Sequence, residues 1–330
     1  MAWLTRFGEI VDASAGMTLQ NRQDAFIRRH LGVGVARVLF VHHSVGRTYG
    51  LELEDDRKVV LKERVSAPGH GGVSFDRDAL EQVVRIQRYL HDRGYPAPEP
   101  LVGPQPFGEG LATVERYLDR GRVREGQDPA VRTALAREVF KHTQLLQPFV
   151  EKTTLSHFGV PRDRLFPTPY DPNVRPLNRG VEVDWVFQLA TRARSIATST
   201  ISRPVVAHQD FRVEHARFER EDIVATFDWD SIAVGPEVRL VGANAHGFSG
   251  DWSQDVIRRV PTHETILGFI EDYEHARGAP FSIQEHRAVR AWAVYWIAYG
   301  AWLFIERGQT DWPDDSWPAL LSDCGGALLR

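Results

Sequence analysis

Two acids and a histidine beside a short hairpin are the residues of this 330-residue chain best suited to chemistry. The stretch His208-Gln209-Asp210-Phe211-Arg212-Val213-Glu214-His215 leads into residues 216–218. The charged tetrad Glu219-Arg220-Glu221-Asp222 follows, then residues 223–227 and Asp228. Short runs holding Val, Ile and Phe around a polar tetrad predict a β-hairpin. With the tetrad as its turn, Phe218 faces Ile223, His215 lies near Thr226 and Val213 near Asp228. The loop holding Asp210 then meets Asp228. One acid orienting a hydroxyl while the other holds Mg²⁺ on a nucleotide is the division of labour of kinase-type phosphoryl transfer. The plainer reading is two solvated loop aspartates, although Asp228 stands between Phe227 and Trp229, where a merely solvating acid is seldom found.

The elements that must position these residues fall into two groups. Residues 36–42, 49–53 and 58–63 are strand-like, with Glu54-Asp55-Asp56-Arg57 as a turn. A helix over 79–92 follows. Asp78 and Glu81 have the spacing of a capping box at its start, and Gly94, Pro96 and Pro98 stop it. An extended run over 113–118 ends at Asp119-Arg120-Gly121, which marks a boundary. Beyond it the pattern turns helical: Asp128 caps a segment with Pro129 at its first position and an end near Leu146. Residues 161–176 carry five prolines and predict an irregular stretch, a lid or binding loop as readily as a surface excursion. A helix over 183–197 leads to a strand over 205–207 and the hairpin. Ser282 and Glu285 form a capping box for a helix running to about Arg307, with Gly308 as its stop. Trp292, Trp296 and Tyr299, spaced i, i+4, i+7 along it, read as a core stripe.

Composition narrows the class. With 42% hydrophobic and 25% charged residues the chain can bury a large core and divide into two domains. A net charge of −4 with no basic block argues against nucleic acid. The longest apolar run, residues 291–305, is short for a bilayer, so no membrane partner is expected. The single cysteine, Cys324, excludes an internal disulfide and a cysteine-based zinc site. The N-terminus shows no basic stretch followed by an apolar run, and a cytoplasmic protein is expected.

A small mixed segment, an extended connector and a larger helical segment carrying residues 208–215 and Phe227-Asp228-Trp229-Asp230 together resemble the aminoglycoside phosphotransferase-like family of small-molecule kinases, over residues 36–307. That family's signature is His-Gly-Asp, four residues, Asn, and later a strand ending in Ile-Asp. The resemblance implies an α+β, two-lobed protein-kinase-like fold. Its small N-terminal β-sheet-plus-helix lobe, residues 1–113, binds nucleotide. A hinge spans 114–120, and a larger, mostly helical C-terminal lobe, 121–330, carries catalysis and the acceptor.

The same resemblance assigns roles. Asp210 orients the acceptor hydroxyl, Asp228 is the principal Mg²⁺ ligand, and Arg212 touches phosphate or acceptor. Lys62 grips the α- and β-phosphates of ATP or GTP. The chain has only four lysines against 36 arginines, and a compact ammonium on an inner strand is not replaced by arginine's planar fork. Ser44 and Gly46, in the turn over 43–48, lie over the phosphates through backbone N–H groups. Glu81 is the candidate partner of Lys62, and the backbone groups of Glu115 and Tyr117 bind the nucleobase. Two residues depart from the signature: Gln209 replaces the glycine, and His215 stands where the metal-binding asparagine is expected. An imidazole nitrogen suits Mg²⁺ less well than an amide oxygen, so His215 reads as metal ligand, as hydrogen-bond donor to Asp210 or phosphate, or as packing.

The expected activity is Mg²⁺-dependent transfer of a γ-phosphoryl group to a hydroxyl of a small, hydroxyl-rich molecule, an antibiotic foremost, by a monomer or homodimer. A metabolite kinase and a nucleotide-binding pseudokinase weakened at His215 are the alternatives. A metal hydrolase lacks any paired-histidine ligand motif.

Overall fold

The computed structural model describes residues 13–43, 46–64, 76–156, 160–169, 181–251, 259–308 and 312–330. These fall into two compact units: residues 13–64, 76–88 and 98–119 in the first, and 89–97 with 120–330 in the second.

The first unit is built on an antiparallel five-stranded sheet of order β1-β2-β3-β5-β4. Its strands are β1 (Val35–His43), β2 (Arg47–Leu53), β3 (Lys58–Arg64), β4 (Pro100–Phe107) and β5 (Gly110–Arg116). The expected turn joins β2 to β3, with Asp56 in the left-handed region that aspartate tolerates. One sheet face carries Tyr49, Leu51, Val59, Leu61, Ala112 and Val114. It packs against Phe26 and Ile27 of helix α1 (Ala13–Leu31), an element without a counterpart in the expectations above. Helix α2 (Arg77–His91) starts two residues earlier than expected, because Asp76, not Asp78, accepts the N–H of Ala79 at 2.7 Å. The capping box at Asp78 and Glu81 therefore does not form. Strand β4 was invisible to pattern reading: Pro100, Pro104 and Pro106 lie within it, and it sits at the sheet edge, where proline is tolerated. The first three residues expected of the connector, 114–116, are the end of β5.

The second unit is mostly helical: α3 (Pro129–Leu145), α4 (Val181–Thr198), α5 (Glu237–Gly247), α6 (His263–Arg277), α7 (Ile283–Glu306) and α8 (Trp317–Leu328). Asp128 caps α3 by accepting from the N–H of Ala130, with Pro129 in the first turn, where its missing donor costs nothing. Ser282 and Glu285 form the capping box of α7. That helix is apolar on all sides because α4, α5 and α8 surround it, and Trp292, Trp296 and Tyr299 are buried in the core. Gly242 of α5 permits this approach, since a Cβ there would stand 2.5 Å from Val289 O of α7. Of the proline-rich stretch, residues 160–169 are described and carry no regular element; the remainder lies outside the described residues.

Two small ribbons hold the chemistry-bearing segment. Strand β6 (Pro204–His208) pairs with β9 (Ile232–Pro236), and the hairpin expected from the sequence is β7 (Ala216–Glu219) with β8 (Asp222–Thr226). Phe218 faces Ile223 as expected. A bulge at Val224 then moves the register by one, so Ala216 opposes Thr226 and the N–H of Phe227 reaches His215 O.

Candidate functional site

In the second unit the chain leaves β6 at His208 and turns. The imidazole of His208 fixes that turn. Its Nε2 donates to Phe227 O (3.1 Å), and its Nδ1 accepts the N–H of Asp210 (3.2 Å). This pairing requires the neutral ring, in keeping with burial that pushes its pKa down to about 4. Behind it, His142 Nε2 accepts the N–H of His208, and Nδ1 meets the Tyr95 hydroxyl at 3.2 Å. Burial likewise holds His142 neutral. Asn244 of α5 clamps the turn from the other side. It accepts from the N–H of Phe211 (2.9 Å) and donates to His208 O (3.2 Å) and Leu240 O (3.1 Å).

Asp210 is partly exposed, and Arg212 Nε stands 3.1 Å from its Oδ1. The same guanidinium reaches Glu214 Oε1 at 2.6 Å. His215 sits in a 3-10 turn over Val213–His215. Its Nδ1 donates to Asp210 O (2.8 Å), while Nε2 lies 3.3 Å from Glu214 Oε1 and 3.8 Å from Asp228 Oδ2. Burial and Arg212 oppose charge on this ring, but Glu214 and Asp228 outweigh them and hold its pKa above the ordinary value. Of the roles expected of His215, the hydrogen bond toward Asp210 is present, made to its main-chain oxygen, and Nε2 faces the carboxylates of Glu214 and Asp228. Asp228 adopts left-handed backbone angles (φ 61°, ψ 42°) at the end of β8, which turns its carboxylate out toward solvent. A hard oxygen ligand of this kind suits Mg²⁺, which binds through one or two carboxylates plus substrate phosphates. Among the described residues no group of three or more metal-ligating side chains is assembled.

In the first unit Lys62 is buried on β3, and its Nζ lies 3.2 Å from Glu115 Oε1 on β5. Glu81 is corrected as its partner: that side chain is exposed on α2 and faces Arg77 at 3.9 Å. Of the backbone groups expected to meet the nucleobase, those of Glu115 and the N–H of Tyr117 are engaged within the unit. Glu115 is inside β5, paired with Val60 on one side and Pro100 on the other, and the Tyr117 N–H is given to Lys58 O at 3.1 Å. Gly46 approaches the end of β3 so closely that a Cβ would lie 2.2 Å from Glu63 O, which only glycine permits. Ser44 lies outside the described residues.

Sequence reasoning missed Glu214 and Asn244. Glu214 is adjacent to His215 but was assigned no role in the expectations above. A lone asparagine among the apolar residues of 237–247 was the available signal for the other, since a buried amide must be satisfied.

The model of the phosphotransferase enzyme family matches residues 43–239, which span β3 and the Asp210 loop. No curated protein sequence matches the chain. Among solved structures, amicoumacin kinase hAmiN in complex with AMP-PNP, Ca²⁺ and Ami is 11% identical, with 95% of each chain covered and a TM-score of 0.61. A thermostable mutant of aminoglycoside phosphotransferase APH(4)-Ia, with AMP-PNP and hygromycin B, is 15% identical over 93% of this chain and 97% of that one, TM-score 0.58. Spectinomycin phosphotransferase APH(9)-Ia, with ADP and spectinomycin, is 12% identical over 92% and 97%, TM-score 0.55. At these identities the likeness is one of fold, here the kinase-like fold.

Proposed function

This chain belongs to the phosphotransferase enzyme family and is a small-molecule O-phosphotransferase, and from that premise we propose that it transfers the γ-phosphoryl group of ATP or GTP to a hydroxyl of a hydroxyl-rich antibiotic. The observation that carries the reading is the convergence of Asp210 and Asp228 on His215, whose Nδ1 donates to the main-chain O of Asp210 at 2.8 Å and whose Nε2 lies 3.8 Å from Asp228 Oδ2. One imidazole thereby ties the main chain of Asp210 to the carboxylate of Asp228, the first acid lying beside an arginine and the second turned outward.

Asp210 accepts the proton of the acceptor hydroxyl as its oxygen bonds to the γ-phosphorus and the bond to the β–γ bridging oxygen breaks, leaving the nucleoside diphosphate. Arg212, paired with Asp210, orients that carboxylate. Asp228 would hold Mg²⁺, which would neutralise charge on the phosphates. His215 steadies the Asp210 turn by donating to Asp210 O, and its Nε2 stands beside the carboxylate of Asp228. Lys62 grips the nucleotide's phosphates through a compact ammonium. Catalysis is chiefly positioning and charge neutralisation. The antibiotic acceptor is supported by the solved structures alike in fold, which carry amicoumacin, spectinomycin and hygromycin B in their names.

The test is mass spectrometry of phosphorylated products from purified protein with Mg²⁺ and either ATP or GTP, over a panel of hydroxyl-bearing antibiotics and metabolites. A product gaining one phosphoryl group and absent with Asp210→Ala is expected. Product formation that survives Asp210→Ala would remove that residue from the reaction, and phosphorylation of a metabolite alone would overturn the antibiotic acceptor.

A further inference from the structure

We propose that Glu115 of β5 is the positioning residue for Lys62, and that α2 supports this pair through the amide of Gln87 instead of supplying a carboxylate of its own. The inference rests on the reading of Lys62 as the lysine that grips phosphates.

The pair follows from strand register. Lys62 opposes Thr113, and Glu115 opposes Val60, so the two side chains lie on the same sheet face one diagonal apart. Both are almost fully buried, and Lys62 Nζ meets Glu115 Oε1 at 3.2 Å. A buried ammonium without a partner is costly, which makes this carboxylate the group that sets where the lysine points.

Glu115 is itself held. Its second oxygen accepts from Gln87 Nε2 at 2.9 Å, and the same nitrogen donates to Pro98 O at 2.9 Å. Both partners are acceptors, so both amide hydrogens are used and the amide has one orientation. The chain of contacts therefore runs from Lys62 to Glu115, to Gln87, to Pro98 O. Arg64 adds a second brace on the same face, donating to Thr113 Oγ1 (3.0 Å) and to Lys62 O (3.1 Å). Glu81, by contrast, is exposed on α2 and paired with Arg77. The orientation of the lysine is thus set inside the sheet, with α2 contributing a neutral side chain.

The experiment measures ATP and GTP affinity by titration calorimetry with Mg²⁺ for wild type and then, with the nucleotide that binds, for Glu115→Gln, Glu81→Gln, Lys62→Ala and the double variant Lys62→Ala with Glu115→Gln, alongside kcat and KM. Glu115→Gln keeps the side-chain volume and is expected to raise Kd about tenfold or more, as loss of a charge-assisted contact does. It lowers kcat as well, while Glu81→Gln keeps wild-type affinity. In the Lys62→Ala background the Glu115 change has no further effect, because Glu115 acts through Lys62. Gln87→Leu leaves both charged groups in place and gives a smaller loss that also vanishes without Lys62, which keeps the test valid if Glu115→Gln folds poorly. Wild-type affinity in both Glu115→Gln and Gln87→Leu, an undiminished loss in the Lys62→Ala background, or a larger loss from Glu81→Gln overturns the assignment. Wild-type protein with no measurable nucleotide affinity overturns the proposed function itself, and this assignment with it.

Discussion

Arg212 Nε stands 3.1 Å from Oδ1 of Asp210, so the carboxylate placed to receive a proton is already paired with a cation. The same guanidinium contacts Glu214, and its planar fork is what lets it face two carboxylates at once. Arg212→Ala is expected to lower kcat by about one to two orders of magnitude with little change in nucleotide affinity, the pattern of a group that acts in the transition state. Arg212→Lys restores little, since an ammonium cannot span both acids. Steady-state kinetics check both; unchanged kcat in Arg212→Ala would take the arginine out of the mechanism.

Asn244 links α5 to the turn through three hydrogen bonds in a dry setting. Asn244→Leu leaves the N–H of Phe211 and the carbonyl of His208 without these partners, at a cost of about 1–3 kcal/mol for each buried group left unsatisfied. Urea denaturation should show a lower midpoint with an unchanged slope, and turnover should fall at temperatures where the variant is still folded. A variant as stable as wild type would mean that the turn does not depend on this clamp.

His208 carries a pH dependence with a definite sign. Its folded pKa is pushed down to about 4, below the unfolded value of 6.5, because burial excludes the charged ring. The unfolded chain therefore binds the extra proton first. Stability is fully present above about pH 6.5, falls as the pH drops through the window, and stops falling from this source below about 4, a total on the order of 3 kcal/mol. Denaturation curves at pH 7.5 and pH 5 would show the loss, and His208→Gln should make it smaller, the buried neutral His142 and His246 supplying the remainder. A wild type equally stable at both values would contradict a neutral buried ring.

Much of the fold was legible because its signals are local. The Asp128-Pro129 start of α3, the Ser282 and Glu285 box of α7 and the turn between β2 and β3 each depend on a few adjacent residues whose caps and dihedrals act on their own backbone. What escaped is non-local. The prolines of β4 forbid a strand in isolation and are admitted only because that strand is the sheet's edge. The bulge at Val224 moves the hairpin by one residue without a glycine or proline to announce it. At the site, Asp210 and Asp228 stood out by spacing, whereas the pairing of Lys62 with Glu115 is decided by the register of β3 on β5, which no short segment encodes.

The proline edge also governs what the sheet can join. A free edge strand ordinarily offers alternating donors and acceptors to any passing chain, and so invites self-association. Along β4, residues 100, 104 and 106 have no N–H to offer. Two of the carbonyls are spoken for as well, since Arg77 donates to Pro104 O at 2.6 Å and Arg88 to Pro100 O. On that side the ribbon offers a broken ladder of donors and acceptors, a poor template for a sixth strand from a neighbouring copy, which disfavours aggregation by sheet extension along this border.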